Sequence, residues 1–363
     1  MDRRGFLQTF TARGVLAAIP SSLTGVGASP SLPAPFRQEL TQPAGIKDME
    51  IPEDRPRIGV VTIGGMGFSI ARQPTWPTPY IARTIAIDTD AEELRQTRAL
   101  RQILLPRMLS PALDFEKGMT LSADARSQIV QAVSGLDMVL LVVGLGGSTG
   151  TAIAPQVARL LGEQQILTLG YAVLPFLFES EQRHRVAATA SKALAAEAAA
   201  LITVKNSDIH GIVDQHASIE AITVQAPNSF VELCRSIANT VVRPDTLVSV
   251  DFDDLRHFIV GAEGDCAFGH ASTWGSTTAI DAARKAMDHP FLGLDRLRRA
   301  STALVSIEAK PHQLLLRDSR DIMFLVRSHL ALDADIFYSC VSNAPQDGSD
   351  FCVSILASGI RNI

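Results

Sequence analysis

Two features of this chain are equipped for chemistry: the acids Asp251 and Asp254 in "SVDFDDL", and the hydroxyl-bearing glycine turn "GLGGSTGTAIAP" at 144–155. Acids three residues apart share a face of a helical turn, where they can orient or deprotonate a water. A helix start also favours acids through its dipole, so the spacing alone leaves both roles open. A glycine turn after an apolar run and before a helical pattern either holds an anion on converging amides or presents a nucleophile. As G-x-S-x-G, residues 146–150 fit a nucleophile elbow, with Ser148 attacking an acyl carbon and His312 or His329 as its base. A second turn, "VVTIGGMGFSIA", sets Gly65 and Gly67 after another strand, with Asp88 ending the next one. That is an incomplete dinucleotide fingerprint, with Ile70 in the third glycine's place. Read together, the two loops suit phosphate, and Ser148, Thr149 and Thr151 add hydroxyl donors. No G-x-x-x-x-G-K-[ST] occurs, which excludes a P-loop.

The elements that must position these residues follow from periodicity. "RIGVVTIGG", "RTIAIDTD", "DMVLLVVGLGG" and "QQILTLGYAVLPF" read as buried strands, with helical patterns between or after them. "SKALAAEAAALITVKNSD" is an alanine-rich helix running into a further strand. This alternation predicts a parallel sheet covered on both faces. Phe230, Val231, Leu233, Cys234, Ile237, Ala238 and Val241 form a wide apolar stripe at helical spacing, predicting a long, largely buried helix that ends before Pro244. Beyond it, a helix is predicted around Thr277 to Met287. "STALVSIEA", "DIMFLVRSHLALDADIFYSCVS" and "DFCVSILASGI" then predict a smaller strand–helix–strand–strand domain.

"GGSTGTAIAP" resembles the tubulin/FtsZ signature G-G-G-T-G-[ST]-G, which cradles nucleotide phosphates. Gly146, Gly147, Thr149, Gly150 and Thr151 match, while Ser148 and Ala152 replace glycines. "GGMGFS" (Gly64, Gly65, Met66, Gly67, Phe68, Ser69) stands where FtsZ has a longer glycine run, and "DTD", beginning at Asp88, stands for its N-T-D. "PFLFESEQR" is similar to the segment that places an acid, here Glu179, at the ribose, with Arg183 nearby. "VKNSD" puts Asn206 at the base-contacting asparagine, and Asn228 falls where FtsZ has an aspartate and tubulins an asparagine. "SVDFDDL" resembles the catalytic loop, giving Asp251 and Asp254, and "VSILASGI" resembles the closing strand.

The resemblance runs from about Arg57 to Gly359. It implies an α/β chain: a Rossmann-like parallel-sheet GTP-binding domain over 57–242, ending in a central helix, and an α+β domain over 243–363. It implies GTP, with Mg²⁺ carried by the nucleotide rather than by protein ligands. It further implies head-to-tail filaments in which the acidic loop of one subunit completes the site of the next, and a cytoskeletal or cell-division role in the cytoplasm. Several departures point to binding with slow hydrolysis. Met66 and Phe68 put side chains into a loop the family fills with glycine. "LLPRMLSPALDFEKGMT", where FtsZ senses the γ-phosphate, keeps only Gly118, and Ser249 replaces the catalytic-loop asparagine. Lost donors to a transferring group slow the reaction. The alternative is a non-catalytic scaffold or binding module of the same family.

A net charge of −5 gives no basic face for nucleic acid. Cys234, Cys266, Cys340 and Cys352 form no CxxC pair and read as small buried hydrophobes. Residues 1–28 contain Arg3 and Arg4, then Phe6, Leu7 and a mildly apolar run to Val26 and Ala28. They read as a twin-arginine export signal or as a disordered basic tail. The run is too short and too interrupted to span a bilayer. Residues 29–56 are proline-rich and read as a linker. The sequence shows no counterpart of the FtsZ C-terminal tail, so the membrane partner is open, and one alternative is that the N-terminal arm performs attachment or targeting.

Overall fold

A computed structural model describes residues 51–106, 120–211, 218–243, 246–261, 265–275, 277–343, 345 and 347–360. The export-signal reading of residues 1–28, the linker up to residue 50 and Gly118 lie outside the described residues.

Six parallel strands form the first part of the sheet: β1 (Ile58–Ile63), β2 (Arg83–Asp88), β3 (Arg101–Leu104), β4 (Met138–Gly144), β5 (Leu167–Leu174) and β6 (Ala200–Lys205). Every residue of β1 is buried, as is all of β4 but its final glycine. Parallel sheets bury both faces, which is why these strands read as unbroken apolar runs. The order is β3-β2-β1-β4-β5-β6, so the winding reverses between β1 and β4. The connecting helices include α1 (Met66–Ala71), α2 (Ala91–Gln96), α3 (Ala123–Val133), α4 (Thr149–Glu163) and α5 (Glu181–Glu197).

After β6 come a 3-10 turn (Asn206–Gly211), the short α6 (Ile219–Thr223), the central helix α7 (Gln225–Val241) and α8 (Phe252–Val260). β7 (Asp265–Thr273) joins β6 through a single residue pair, Ile202 with Cys266. α9 (Ala279–Met287) and α10 (Leu294–Arg299) precede β8 (Thr302–Ala309), α11 (Leu316–Arg327), β9 (Asp335–Ser342) and β10 (Phe351–Ile360). β10 pairs antiparallel with both β7 and β8, and β9 lies parallel to β8. The strand–helix–strand–strand pattern read from the sequence is therefore present, with β7 added to it. The fold is α/β, a Rossmann-like parallel sheet joined by a central helix to an α+β part. α9 starts at Ala279, where Thr278 and Asp281 form a reciprocal capping box.

Pro227 falls in the first turn of α7, where its missing N–H costs nothing. The helix is long and largely buried, as expected: of its 17 residues, only Gln225 and Asn228 escape burial. Its charged positions, Glu232 and Arg235, are consequently drawn into the core as ion pairs. Arg235 Nε lies 3.2 Å from Glu308 Oε1 of β8, and Arg235 Nη2 lies 2.5 Å from Glu232. The same Nη2 donates to Cys352 Sγ of β10 at 3.0 Å. All four cysteines are buried and free, as expected.

The Arg235 cluster has a pH signature. Burial drives the Glu232 carboxyl from 4.5 up to about 7; Arg235 opposes that rise, while Glu308 and Asp347 reinforce it. A group whose folded pKa is raised contributes stability fully present below its unfolded pKa and lost as pH rises through the folded value. Glu232 therefore destabilises the fold progressively from about pH 4.5 to above 7, by on the order of 3 kcal/mol. His270 and His289, lowered chiefly by burial, act in the opposite sense, so the difference between variant and parent isolates Glu232. Glu232→Gln should match the parent in urea unfolding near pH 5 and exceed it by roughly 2 kcal/mol at pH 8. A pH-independent difference would show that Glu232 is ionised throughout.

Candidate functional site

The carboxyl ends of the parallel strands bring together loops that lie far apart in the chain. At the β1/β4 reversal they leave a cleft of about 590 Å³, the position where doubly wound sheets hold ligands. Of the residues singled out from the sequence, Gly64, Gly65, Met66, Asp88, Gly147, Ser148, Thr149, Gly150, Glu179, Arg183 and Asn206 line it.

The loop after β4 is shaped by its glycines. Gly146 has φ +92, and a Cβ there would lie 2.7 Å from Pro175 Cγ. At Gly150 a Cβ would lie 2.5 Å from the Gly144 carbonyl oxygen, so the first turn of α4 seats directly on the end of β4. Gly147 faces open space, with nothing within 4 Å of a built Cβ. Ser148 occupies the N-cap of α4 without making a side-chain cap bond, and the first turn of this 15-residue helix carries no acid. A hydroxyl and the free amides of a helix start thus meet at the cleft, an arrangement suited to an anion. Thr89 and Thr149 share a hydroxyl hydrogen bond of 2.9 Å, tying the loop after β2 to the start of α4.

Six of the expected residues are not in the lining, each for a local reason. Because α1 begins at Met66, the positions after it turn away from the cleft. Gly67 packs on Thr62 and Thr97, where a Cβ would lie 2.6 Å from Thr62 Oγ1. Phe68 lies under the Arg72 guanidinium at 5.4 Å. Ser69 Oγ donates to the Gly65 carbonyl at 3.2 Å. Gly146 N donates to Thr151 Oγ1 at 2.9 Å, so these two brace the turn from within. Asn228 sits in the first turn of α7, outside the lining.

Asp251 and Asp254 do not line the cleft either. Asp251 caps α8: its Oδ1 accepts the Asp254 amide at 2.7 Å, while Asp254 itself sits in the exposed first turn. The two acids therefore differ in kind, one engaged as a cap and the other carrying no such bond. No histidine is among the residues lining the cleft. His329 Nδ1 is 2.9 Å from the Leu325 carbonyl, beyond α11, and His312 follows β8, so the elbow reading of Ser148 gains no base.

The sequence reading singled out the "DTD" motif but named only Asp88 of it as a site residue, and it missed Glu93; Thr89, Asp90 and Glu93 all line the cleft. They follow β2 directly, and the carboxyl end of any neighbouring parallel strand was the signal that could have found them. They make the cleft acidic. Asp88 accepts the amides of Thr89 at 2.6 Å and Asp90 at 3.2 Å, yet burial still raises its pKa. Glu93 is raised by burial and then by Asp88 and Asp90. Glu179 Oε2 lies 2.9 Å from Arg183 Nε, and its Oε1 accepts the Phe176 amide at 2.7 Å. Four carboxylates thus face one guanidinium. Among the described residues no group of three or more His, Cys, Asp or Glu is arranged to hold a metal ion. Among them too, no helix is long and apolar enough to cross a membrane.

Residues 57–214 match the model of the tubulin/FtsZ family, GTPase domain. The cell division protein FtsZ of Pseudomonas putida is 28% identical over 310 residues, covering 84% of this chain and 77% of that protein. FtsZ 1 of Pyrococcus horikoshii is 27% identical over 333 residues, covering 90% and 88%. The solved structure of an empty FtsZ dimer from M. jannaschii superposes with a TM-score of 0.74 at 25% identity, over 85% of this chain and 89% of that one.

The glycines of the loop predict contrasting outcomes. Gly150→Ala should lower stability by about 1–3 kcal/mol in denaturant unfolding, because its methyl meets backbone. Gly147→Ala should leave the melting temperature within error of the parent. Equal effects at the two positions would mean that the loop does not seat as described.

Proposed function

We propose, from the match of residues 57–214 to the model of the tubulin/FtsZ family's GTPase domain, that the protein binds GTP with Mg²⁺ in the cleft and hydrolyses it slowly in head-to-tail filaments. The observation that carries this reading is the convergence of the loops after β1, β2, β4, β5 and β6 on one cleft at the start of α4. Phosphates would rest on the amides around Gly147–Gly150 and the hydroxyls of Ser148 and Thr149. Glu179 and Arg183 would face the ribose, and Asn206 the base. Asn228 would come to the base only by reaching over from α7. Domain limits of 57–242 and 243–363 follow from this reading, as does a place in the cytoplasm, where GTP is available.

Asp254 is the acid placed to orient or deprotonate a water on the next subunit's nucleotide. Asp251 holds the α8 start in shape for it. Because neither acid reaches the cleft of its own chain, hydrolysis depends on stacking, and a contact that joins unlike faces propagates as an open filament. GTP would supply the phosphoryl group, and a bound Mg²⁺ would offset the negative charge of Asp88, Asp90 and Glu93.

The full chain should therefore bind GTP with Mg²⁺ and sediment as polymer. Omitting Mg²⁺ should weaken binding at least tenfold, and Glu93→Gln should recover part of that loss. No binding at high micromolar GTP would remove the proposal. Asp254→Asn should cut phosphate release about 100-fold or more while leaving GTP affinity within a factor of two. Asp251→Asn, which can still cap, should cost less. Unchanged phosphate release in Asp254→Asn would favour the scaffold reading instead.

A further inference from the structure

A second cleft, of about 670 Å³, borders other faces of the same two short helices. Met66 and Glu93 line the first cleft, whereas Phe68 and Arg72 of α1 and Arg95 of α2 line the second. Arg98, just past α2, completes a set of three guanidiniums with no carboxylate in the lining, in a chain of net charge −5. Arg95 pairs with Glu92. Arg72 has no ion pair and lies over the Phe68 ring at 5.4 Å, and Arg98 has neither ion pair nor hydrogen bond to the described residues. A helix C-terminus favours a cation, which accounts for Arg72 and Arg95 at the ends of α1 and α2. It does not account for Arg98, which lies beyond both in the left-handed region at φ +50.

We propose that this cleft is a binding site for a polyphosphate anion, distinct from the nucleotide cleft and opposite to it in charge. Guanidinium forks donate in pairs to phosphate oxygens, and three of them match the compact charge of linked phosphates. Phe68 holds the Arg72 fork over its ring. The acidic first cleft calls for a divalent cation beside any polyanion, whereas the second takes the bare anion, so metal-free conditions direct the ligand to the second.

Trp76 also lines this cleft, and the only other tryptophan in the chain is Trp274. In full-length Trp274→Phe protein, inorganic tripolyphosphate without Mg²⁺ should produce a saturable change in Trp76 fluorescence at micromolar concentration. Arg72→Gln with Arg98→Asn should weaken it about tenfold or more; asparagine tolerates the left-handed backbone at 98. Gly147→Ala in the first cleft should leave it unchanged. No response up to millimolar anion, or equal affinity in the double variant, would overturn the site. An equal response to citrate would overturn the phosphate class. GTP binding is not needed for any of these readings, so failure here leaves the proposed function standing.

Discussion

The fold depends on how one buried guanidinium is satisfied. β6 and β7 share a single residue pair, and α7 bridges the parallel and mixed parts of the sheet, touching Tyr171 of β5 and pairing with Glu308 of β8. Arg235 of that helix is surrounded by Glu232, Glu308 and Cys352. Burial alone would lower its pKa, but the Glu308 and Glu232 carboxyls oppose that. Such a cluster contributes little net stability over an apolar core, yet removing both carboxyls would leave an unpaired buried charge. It therefore fixes the seating of α7 on β8 and β10.

That seating matters for the chemistry because α7 and α8 follow each other in the chain. The cleft is built by the parallel strands, while the exposed acid Asp254 is carried by α8, away from the cleft of its own subunit. The cleft and this exposed acid therefore belong to different elements of the chain. The acidity of the cleft is a second constraint, since four carboxylates and one arginine line it.

Period and composition in the sequence already determined the parallel strands other than β3, the long buried helix, the strand–helix–strand–strand end of the chain and the free cysteines. Unbroken apolar runs are what two-faced burial requires, so β1 and β4 were legible without coordinates. The glycine turn was legible for a similar reason: Gly146 needs a positive φ, and Gly150 cannot carry a side chain against the end of β4. Only the tertiary structure decided which residues of each loop point inward. The start of α1 at Met66 turned Phe68 and Ser69 away, and the reversal of strand order brought Asp90 and Glu93 beside the phosphate turn. The ion pairs of Arg235 were equally invisible, because apolar periodicity reports which positions are buried and says nothing of which distant carboxylate meets a buried charge.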